Sequence, residues 1–287
     1  MSAPSLLLLD LDGVLRRFPP DGPIEDEFGL ARGTLARVSF SLAGPATAGR
    51  ATDEEWRAAV RERLVDEGLP PARAADAVAA WTRTGEVIGE ALDLVRSVRR
   101  RCRVALLSNA TDRLPRDLAA LGLDREVDAV VSSARIGVAK PAPEAFRRAL
   151  RVLQHSPSGT LFCDDNAVNV AAARTVGIDA VHTPDFPSLH GAVASRGLLD
   201  EGAGGGPERA AGPLVLVLHE RDDARKPHGS CARRAGRRAR CTRTCWRART
   251  TSKTPTGWWS WPPVPTTSPR RPTAACSKTW PHVTTGS

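Results

Sequence analysis

The sequence predicts an α/β protein with a doubly wound, Rossmann-like parallel sheet, an inserted helical cap and a disordered C-terminal tail. Short apolar runs alternate with helical segments over residues 97–200, as in parallel sheets with helices on both faces. The mostly helical stretch at residues 16–96 is too long for a simple crossover between the first two strands, so we expect it to form a separate cap. The periodic pattern is lost towards the C-terminus.

The elements follow from local patterns in chain order. The apolar run at residues 5–10 predicts a buried parallel strand. Thr52 and Glu55 form a capping box that opens a cap helix, which Gly68 and Pro70 close. Beyond the cap, strands are predicted at RVALLSN, VDAVVSS, GTLFCDD and DAVHT, and helices at DRLPRDLAALGL, PEAFRRALRVLQ, NAVNVAAARTVG and DFPSLHGAVASRG.

These elements divide the chain into parts of different character. We assign residues 1–15 and 97–200 to the core and residues 16–96 to the cap. The glycine-rich residues 201–213 have the composition of a flexible linker. Residues 214–287 are predicted to be a poorly ordered basic tail. At the start of this tail, PLVLVLHERDDA resembles a strand that would begin a second small domain.

The tail carries the positive charge of the chain. From residue 224 onward it has fourteen Lys and Arg and no Asp or Glu, whereas the remainder is net acidic. One interpretation is an arm that binds nucleic acid, with Trp residues stacking on bases. Cys241 and Cys245 are close enough to share a metal, but no second pair completes a zinc site. We favour a frameshifted C-terminus, which makes nucleic acid an unlikely partner.

The body has the composition of a cytoplasmic protein. Cys102 and Cys163 lie beside or within apolar runs, where cysteine is usually a small buried hydrophobe. The leucine run at residues 6–9 is too short for a signal peptide and lacks a preceding basic region. No apolar stretch is long enough to span a bilayer, so no membrane association is expected.

Polar residues collect where the predicted strands end, which is where ligands bind in open α/β sheets. The residues are Asp10 and Asp12 after the first strand, Ser108 and Asn109 after the second, Asp164 and Asp165 after LFC, and Lys140 after a short loop. Residues i and i+2 of a strand lie on the same side, so Asp10 and Asp12 should project together. Two close carboxylates repel each other unless a cation lies between them.

This set of residues suits phosphoryl chemistry. Asp10, Asp12 and Asp165 could share a Mg²⁺ ion, which prefers carboxylate oxygens, and Asp164 is a further candidate ligand. With that charge in place, one carboxylate can attack an electron-poor centre and give covalent catalysis. Donors from Ser108 and Asn109 and the cation of Lys140 suit the oxygens of a phosphoryl group.

Four segments together resemble the motifs of the haloacid dehalogenase-like hydrolase superfamily. They are DLDGV, LLSNA, KPAPEAF and FCDDNAVNV, in the family's order, and the resemblance covers about residues 5–197. It implies that Asp10 is a nucleophile that forms an aspartyl-phosphate and that Asp12 protonates the leaving oxygen and then activates water. It further implies that Ser108 and Lys140 hold the phosphate and that Asp165 completes the metal site. The position of the insertion resembles the family's helical type of cap.

The resemblance favours a Mg²⁺-dependent phosphatase that acts on a small, sugar-phosphate-like metabolite. Dehalogenases of the family need no acid for a departing halide and usually lack a carboxylate two residues after the nucleophile, so Asp12 favours phosphate esters. A phosphosugar mutase shares all four motifs and is the alternative enzyme. The alternative from another class is a nucleic-acid-binding protein that acts through the basic tail.

Overall fold

The computed structural model describes residues 3–199 and the backbone of residues 215 and 216. Its strands are β1 (Leu6–Leu9), β2 (Arg16–Arg17), β3 (Glu86–Val87), β4 (Arg103–Ser108), β5 (Ala129–Ser132), β6 (Thr160–Asp164), β7 (Asp179–His182) and β8 (Val215–Leu216). Six of them form a parallel sheet in the order β7-β6-β1-β4-β5-β8. This order confirms the predicted doubly wound topology, with β1 in the middle.

Helices cover both faces of the sheet and build the cap. They are α1 (Gly22–Phe28), α2 (Thr34–Leu42), α3 (Gly44–Thr47), α4 (Asp53–Asp66), α5 (Pro71–Trp81), α6 (Gly89–Arg99), α7 (Leu114–Leu121), α8 (Ser133–Ile136), α9 (Pro143–Leu153), α10 (Ala167–Thr175) and α11 (Phe186–Ala194). Among residues 3–199, none of these helices combines the length and apolar character needed to cross a membrane.

The four consecutive leucines of β1 supply both faces of the sheet. Leu7 and Leu9 belong to the hydrophobic cluster that includes residues of α6, α7 and α11, whereas Leu6 and Leu8 belong to the cluster beneath α9 and α10. Alternate strand residues point to opposite faces, so a central strand covered on both sides must be apolar at every position. The β1 strand therefore ends where its first carboxylate, Asp10, begins the polar edge.

The cap has a hydrophobic core of its own. Helices α1, α2, α4 and α5 contribute the buried side chains of this cluster, among them Leu35, Val60 and Ala77. The capping box predicted at the start of α4 is present, with Thr52 and Glu55 each satisfying the other's backbone N–H group. The short antiparallel strands β2 and β3 pair at the base of the cap, where the chain leaves the core and returns to it.

Two assignments from the sequence are corrected by packing and pairing. Helix α6, most of which the sequence assigns to the cap, buries Leu94 and Val98 in the same cluster as Leu7, so it packs on the sheet. The strand expected to start a second domain pairs in parallel with β5, so β8 extends the main sheet. The expected linker, and the rest of the expected tail, lie outside the described residues.

We expect a chain that ends at Leu199 to fold cooperatively, because it retains every residue that the structure describes in the three hydrophobic clusters. It should nevertheless be less stable than a chain that ends at Glu220, which retains β8. A few backbone hydrogen bonds contribute about 1–3 kcal/mol to the free energy of unfolding. Urea unfolding followed by circular dichroism measures the difference, and equal midpoints would mean that β8 does not stabilise the sheet.

Candidate active site

The carboxyl ends of neighbouring strands gather polar side chains at one edge of the sheet. Asp10 directly follows β1, Ser108 ends β4 and Asp164 ends β6. Because β4 and β6 are the parallel neighbours of β1, these ends lie side by side. Lys140, in the loop before α9, reaches the same edge with its ammonium group. The structure thus brings together residues that are far apart in the sequence.

The Lys140 ammonium group lies between two carboxylates. Its Nζ is 2.8 Å from Asp10 Oδ1 and 2.7 Å from Asp164 Oδ2, and its side chain is 0% exposed. A buried ammonium group is costly unless carboxylates pair with it. These two contacts therefore fix the positive charge beside Asp10.

Asn109 holds the backbone of Lys140 in place. The Asn109 Oδ1 atom accepts a 2.8 Å hydrogen bond from the Lys140 backbone N–H group, and Nδ2 donates a 2.7 Å bond to the Lys140 carbonyl. The sequence placed Asn109 among the donors to phosphate, but its side-chain amide is engaged in supporting Lys140.

Asp10 is a buried carboxyl group in a mixed electrostatic environment. Burial raises its pKa to about 7, the Lys140 ammonium opposes this rise, and the Asp164 carboxylate adds to it. Oδ1 accepts a 2.7 Å hydrogen bond from the Leu11 backbone N–H group in addition to its contact with Lys140. Neither contact uses Oδ2. A second cation near Asp10 would favour the ionised form that a nucleophile requires.

Asp164 is held by donors on several sides. The Asn169 Nδ2 group lies 3.0 Å from both carboxylate oxygens, and the Asn166 backbone N–H group donates to Oδ1 at 2.8 Å. Together with the Lys140 contact, these bonds occupy both oxygens. The carboxylate of Asp164 is therefore oriented to hold Lys140.

Three carboxylates can converge on a single cation. Asp10, Asp164 and Asp165 each offer an oxygen, and these oxygens lie within 4.8 Å of one another. Burial and the Asp164 charge raise the pKa of Asp165, against the effect of Lys140. Gly13 has a φ of +78°, and a Cβ atom at this position would lie 2.1 Å from Asp165 Oδ2. Oxygen donors in this number and arrangement suit a hard divalent cation.

Ser108 contributes a hydroxyl group without a protein partner. Its side chain is buried, and its Oγ has no hydrogen-bond partner among residues 3–199. A buried polar atom left unsatisfied costs about 1–3 kcal/mol. This cost is removed if a ligand supplies an acceptor, as a phosphate oxygen would.

Asp12 lies apart from the group of three carboxylates. Its Oδ1 atom is 2.6 Å from Arg16 Nε and its Oδ2 atom is 3.2 Å from Arg16 Nη2, and its side chain is 41% exposed. Among the described residues, the carboxylates that could hold a cation are Asp10, Asp164 and Asp165. The sequence predicts Asp12 as the third ligand, but the structure has Asp164 in its place. Asp12 instead lines a cavity to which residues of the cap also contribute.

Several supporting residues were missed at the sequence level. Arg16 belongs to no motif, and only the tertiary structure places its buried side chain on Asp12. Asn169 carried a signal, because FCDDNAVNV puts a second amide in the first turn of the helix that follows β6. Thr111 and Asp53 join the core to the cap through a 2.9 Å hydrogen bond, and neither stands out in the sequence.

Comparison with known proteins identifies the family. Residues 5–177 match the haloacid dehalogenase-like hydrolase family. This match covers more than half of the chain and includes β1, β4 and β6 together with the carboxylates and Lys140 at their ends. The chain therefore belongs to the haloacid dehalogenase-like hydrolases.

The individual proteins that this chain resembles share a third or less of its residues. A phosphoserine phosphatase of Thermus thermophilus is 33% identical over 127 residues, which are 42% of this chain and 51% of that protein, so the alignment spans about half the length of the relative. A haloacid dehalogenase-family enzyme of Bacteroides thetaiotaomicron, crystallised with magnesium and inorganic phosphate, has a TM-score of 0.51 and 22% identity, covering 62% of this chain and 93% of that one. A dehalogenase solved as an intermediate complex has a TM-score of 0.53 and 18% identity, covering 78% and 96%. The two structures share the fold.

Replacing Gly13 should weaken divalent-cation binding. The methyl group of Gly13→Ala would displace the Asp165 carboxylate. We expect Mg²⁺ affinity to fall about 10-fold or more, as when residues that orient a metal ligand are replaced. Isothermal titration calorimetry with Mg²⁺ measures this loss. Gly122→Ala is the matched control, because Gly122 also has a positive φ, of +69°, but no atom lies within 4 Å of its added Cβ. Equal Mg²⁺ affinity in both variants would contradict the assignment of Asp165.

Proposed function

We propose that this protein is a Mg²⁺-dependent phosphatase that hydrolyses a small phosphorylated metabolite through an aspartyl-phosphate on Asp10. The observation that carries the proposal is the Asp10 carboxylate beside the buried Lys140 ammonium, grouped with Asp164 and Asp165. The relationship to a phosphoserine phosphatase supports the reaction, and the magnesium and phosphate in the Bacteroides enzyme support the ligands.

The residues that would hold a metal ion are the carboxylates grouped at the sheet edge. Asp10 and Asp165 would hold Mg²⁺, and Asp164, whose oxygens also accept bonds from Lys140, Asn166 and Asn169, is a third candidate ligand. When bound, the ion supplies positive charge that offsets the repulsion between these carboxylates and an anionic substrate. The Ser108 hydroxyl and the Lys140 ammonium would contact the phosphate oxygens.

In the first step, a carboxylate oxygen of Asp10 attacks phosphorus. A bond between Asp10 and phosphorus forms while the bond from phosphorus to the alcohol oxygen breaks. Asp12, in its protonated form, gives a proton to the departing oxygen. This role requires Asp12 to turn from Arg16 towards the phosphate.

In the second step, water hydrolyses the aspartyl-phosphate. Asp12 takes a proton from the water molecule, whose oxygen then attacks phosphorus. Inorganic phosphate leaves, the Asp10 carboxylate is regenerated, and Asp12 is again protonated. Lys140 stays paired with Asp10 and Asp164 and offsets negative charge in both steps.

The dehalogenase and mutase alternatives predict other products. A dehalogenase would form a carbon–oxygen ester at Asp10 and would have no use for an acid at Asp12, since a halide leaves without a proton. A mutase would return the phosphoryl group to a second hydroxyl group of the substrate. Release of inorganic phosphate from an alkyl phosphate, without halide release from a 2-haloacid, distinguishes the proposed phosphatase from both.

Asp10→Asn should lower phosphate release by about 10⁴-fold or more, because no carboxylate remains to attack phosphorus. Phosphate release from an alkyl phosphate in the presence of Mg²⁺ measures the effect. Asp93→Asn, which changes an exposed carboxylate on α6, is the control for charge. Turnover near the parental value in Asp10→Asn, with contaminating phosphatases excluded, would show that Asp10 is not the nucleophile.

Asp12→Asn should affect alkyl and aryl esters unequally. An alkyl alcohol needs a proton as it leaves, so its first chemical step should slow about 10²–10⁴-fold, whereas nitrophenolate leaves unaided. Single-turnover measurements with the two esters isolate this step. Equal losses for the two substrates would rule out the acid role of Asp12.

A further inference from the structure

A cavity of about 580 Å³ lies between the phosphate-binding residues and the cap. Lys140, Asn109 and Asp12 line it at the sheet edge, and the aromatic side chains of Phe40, Trp56, Trp81 and Phe18 line it further out. Cavities that bind small molecules have volumes of about 300–1,000 Å³. The cavity is therefore large enough for the alcohol portion of a phosphate ester.

The exposed aromatic residues of the described chain are concentrated at this cavity. Within residues 3–199, the exposed large hydrophobic side chains are Phe18 (44%), Phe40 (79%) and Val168 (61%), and both phenylalanines line the cavity. Arg16 lies over the Phe18 ring, with 4.8 Å between its Cζ atom and the ring centroid. Exposed apolar side chains that converge on one cavity indicate an apolar ligand.

Two tryptophans form the fixed part of the aromatic wall. The rings of Trp56 and Trp81 pack edge to face with centroids 5.4 Å apart, and both side chains pack against the cap core. The Trp56 Nε1–H group donates to the Ser39 carbonyl at 3.0 Å, so this polar group already has a partner. The tryptophans therefore present a preformed surface that suits a ring.

The cations that line the cavity are already paired with carboxylates. Among the described lining residues, Arg83 pairs with Asp21 at 2.7 Å, Arg113 pairs with Asp117 at 2.8 Å, and Arg57 pairs with Asp53. Arg16 pairs with Asp12, and Lys140 pairs with Asp10 and Asp164. The Nε–H group of Arg83, which is buried, has no hydrogen-bond partner among residues 3–199. Most of the positive charge along this wall is therefore already balanced by neighbouring carboxylates.

We propose that the substrate is a phosphate monoester whose alcohol carries an uncharged aromatic ring, which Phe18 and Phe40 enclose against the tryptophan wall. This inference rests on the proposed phosphatase function and specifies its substrate class. The phosphate lies at the sheet edge and the ring lies in the cap, so the rings of the cap select the alcohol while Asp10 carries out the chemistry.

The first test compares phosphate esters of primary alcohols, one with an aromatic ring and two without. We expect kcat/KM for 2-phenylethyl phosphate to exceed that for ethyl phosphate and for phosphoserine by about 10-fold or more, as burial of a ring against aromatic walls predicts. A preference for phosphoserine, or equal values for phenylethyl and ethyl phosphate, would overturn the inference and leave the phosphatase function intact.

The second test assigns the preference to the two exposed rings. Phe40→Ala and Phe18→Ala should each lower the ratio of kcat/KM for phenylethyl over ethyl phosphate about 3- to 10-fold. Val168→Ala is the matched control, because Val168 is also an exposed hydrophobic residue but does not line the cavity. An unchanged ratio in both phenylalanine variants would overturn the assignment of the ring site.

A binding measurement separates this inference from the catalytic proposal. Titration calorimetry with 3-phenylpropylphosphonate, which cannot be hydrolysed, should show tighter binding than with propylphosphonate, and the difference should shrink in Phe40→Ala. Ring-dependent binding without hydrolysis of any phosphate ester would sustain the aromatic site and defeat the phosphatase proposal. Hydrolysis without ring-dependent binding would sustain the phosphatase proposal and defeat the aromatic site.

Discussion

The buried ammonium group of Lys140 is the interaction on which the rest of the site depends. It contacts carboxylates that follow β1 and end β6, and Asn109, directly after β4, clamps its backbone. Burying a charge is costly unless pairing is close, so the three strand ends and the loop of Lys140 must be placed accurately for any of them to be stable. Asn166 and Asn169 extend this network by fixing Asp164. The arrangement needed for chemistry is thus also required by the electrostatics of the folded core.

The charge balance at the sheet edge makes a divalent cation a natural component of the site. Three carboxylates meet one ammonium group there, and burial raises the pKa values of Asp10 and Asp165. A cation held between them would lower those pKa values and keep Asp10 ionised. Gly13 permits the close approach of Asp165 because any side chain at its position would collide with that carboxylate. A glycine at this position therefore permits both the positive φ of the turn after β1 and the placement of the Asp165 carboxylate.

The core and the cap are separate structural parts that meet at the cavity. The cap has its own hydrophobic cluster and joins the core through β2 and β3 and through the contact between Thr111 and Asp53. Its aromatic residues and ion pairs line the cavity above the sheet edge, where an alcohol group would lie. Arg16 belongs to both parts, since it lies on β2, pairs with Asp12 and contacts Phe18. Residues of the core and of the cap therefore line the same cavity.

The sequence by itself determined the strands β1, β4, β5, β6 and β7, the alternation that orders them, the family, and the edge at which Asp10, Ser108, Lys140 and Asp164 meet. Local apolar periodicity and the parallel direction of the strands are sufficient for this, because all parallel strands end on the same side. Only the tertiary structure decided that Asp12 pairs with Arg16, that Asn109 supports Lys140, that α6 packs on the sheet and that β8 joins its edge. Each of these depends on partners that the chain order does not specify, and a side chain takes its orientation from the nearest group that can satisfy its charge, hydrogen bonds or apolar surface.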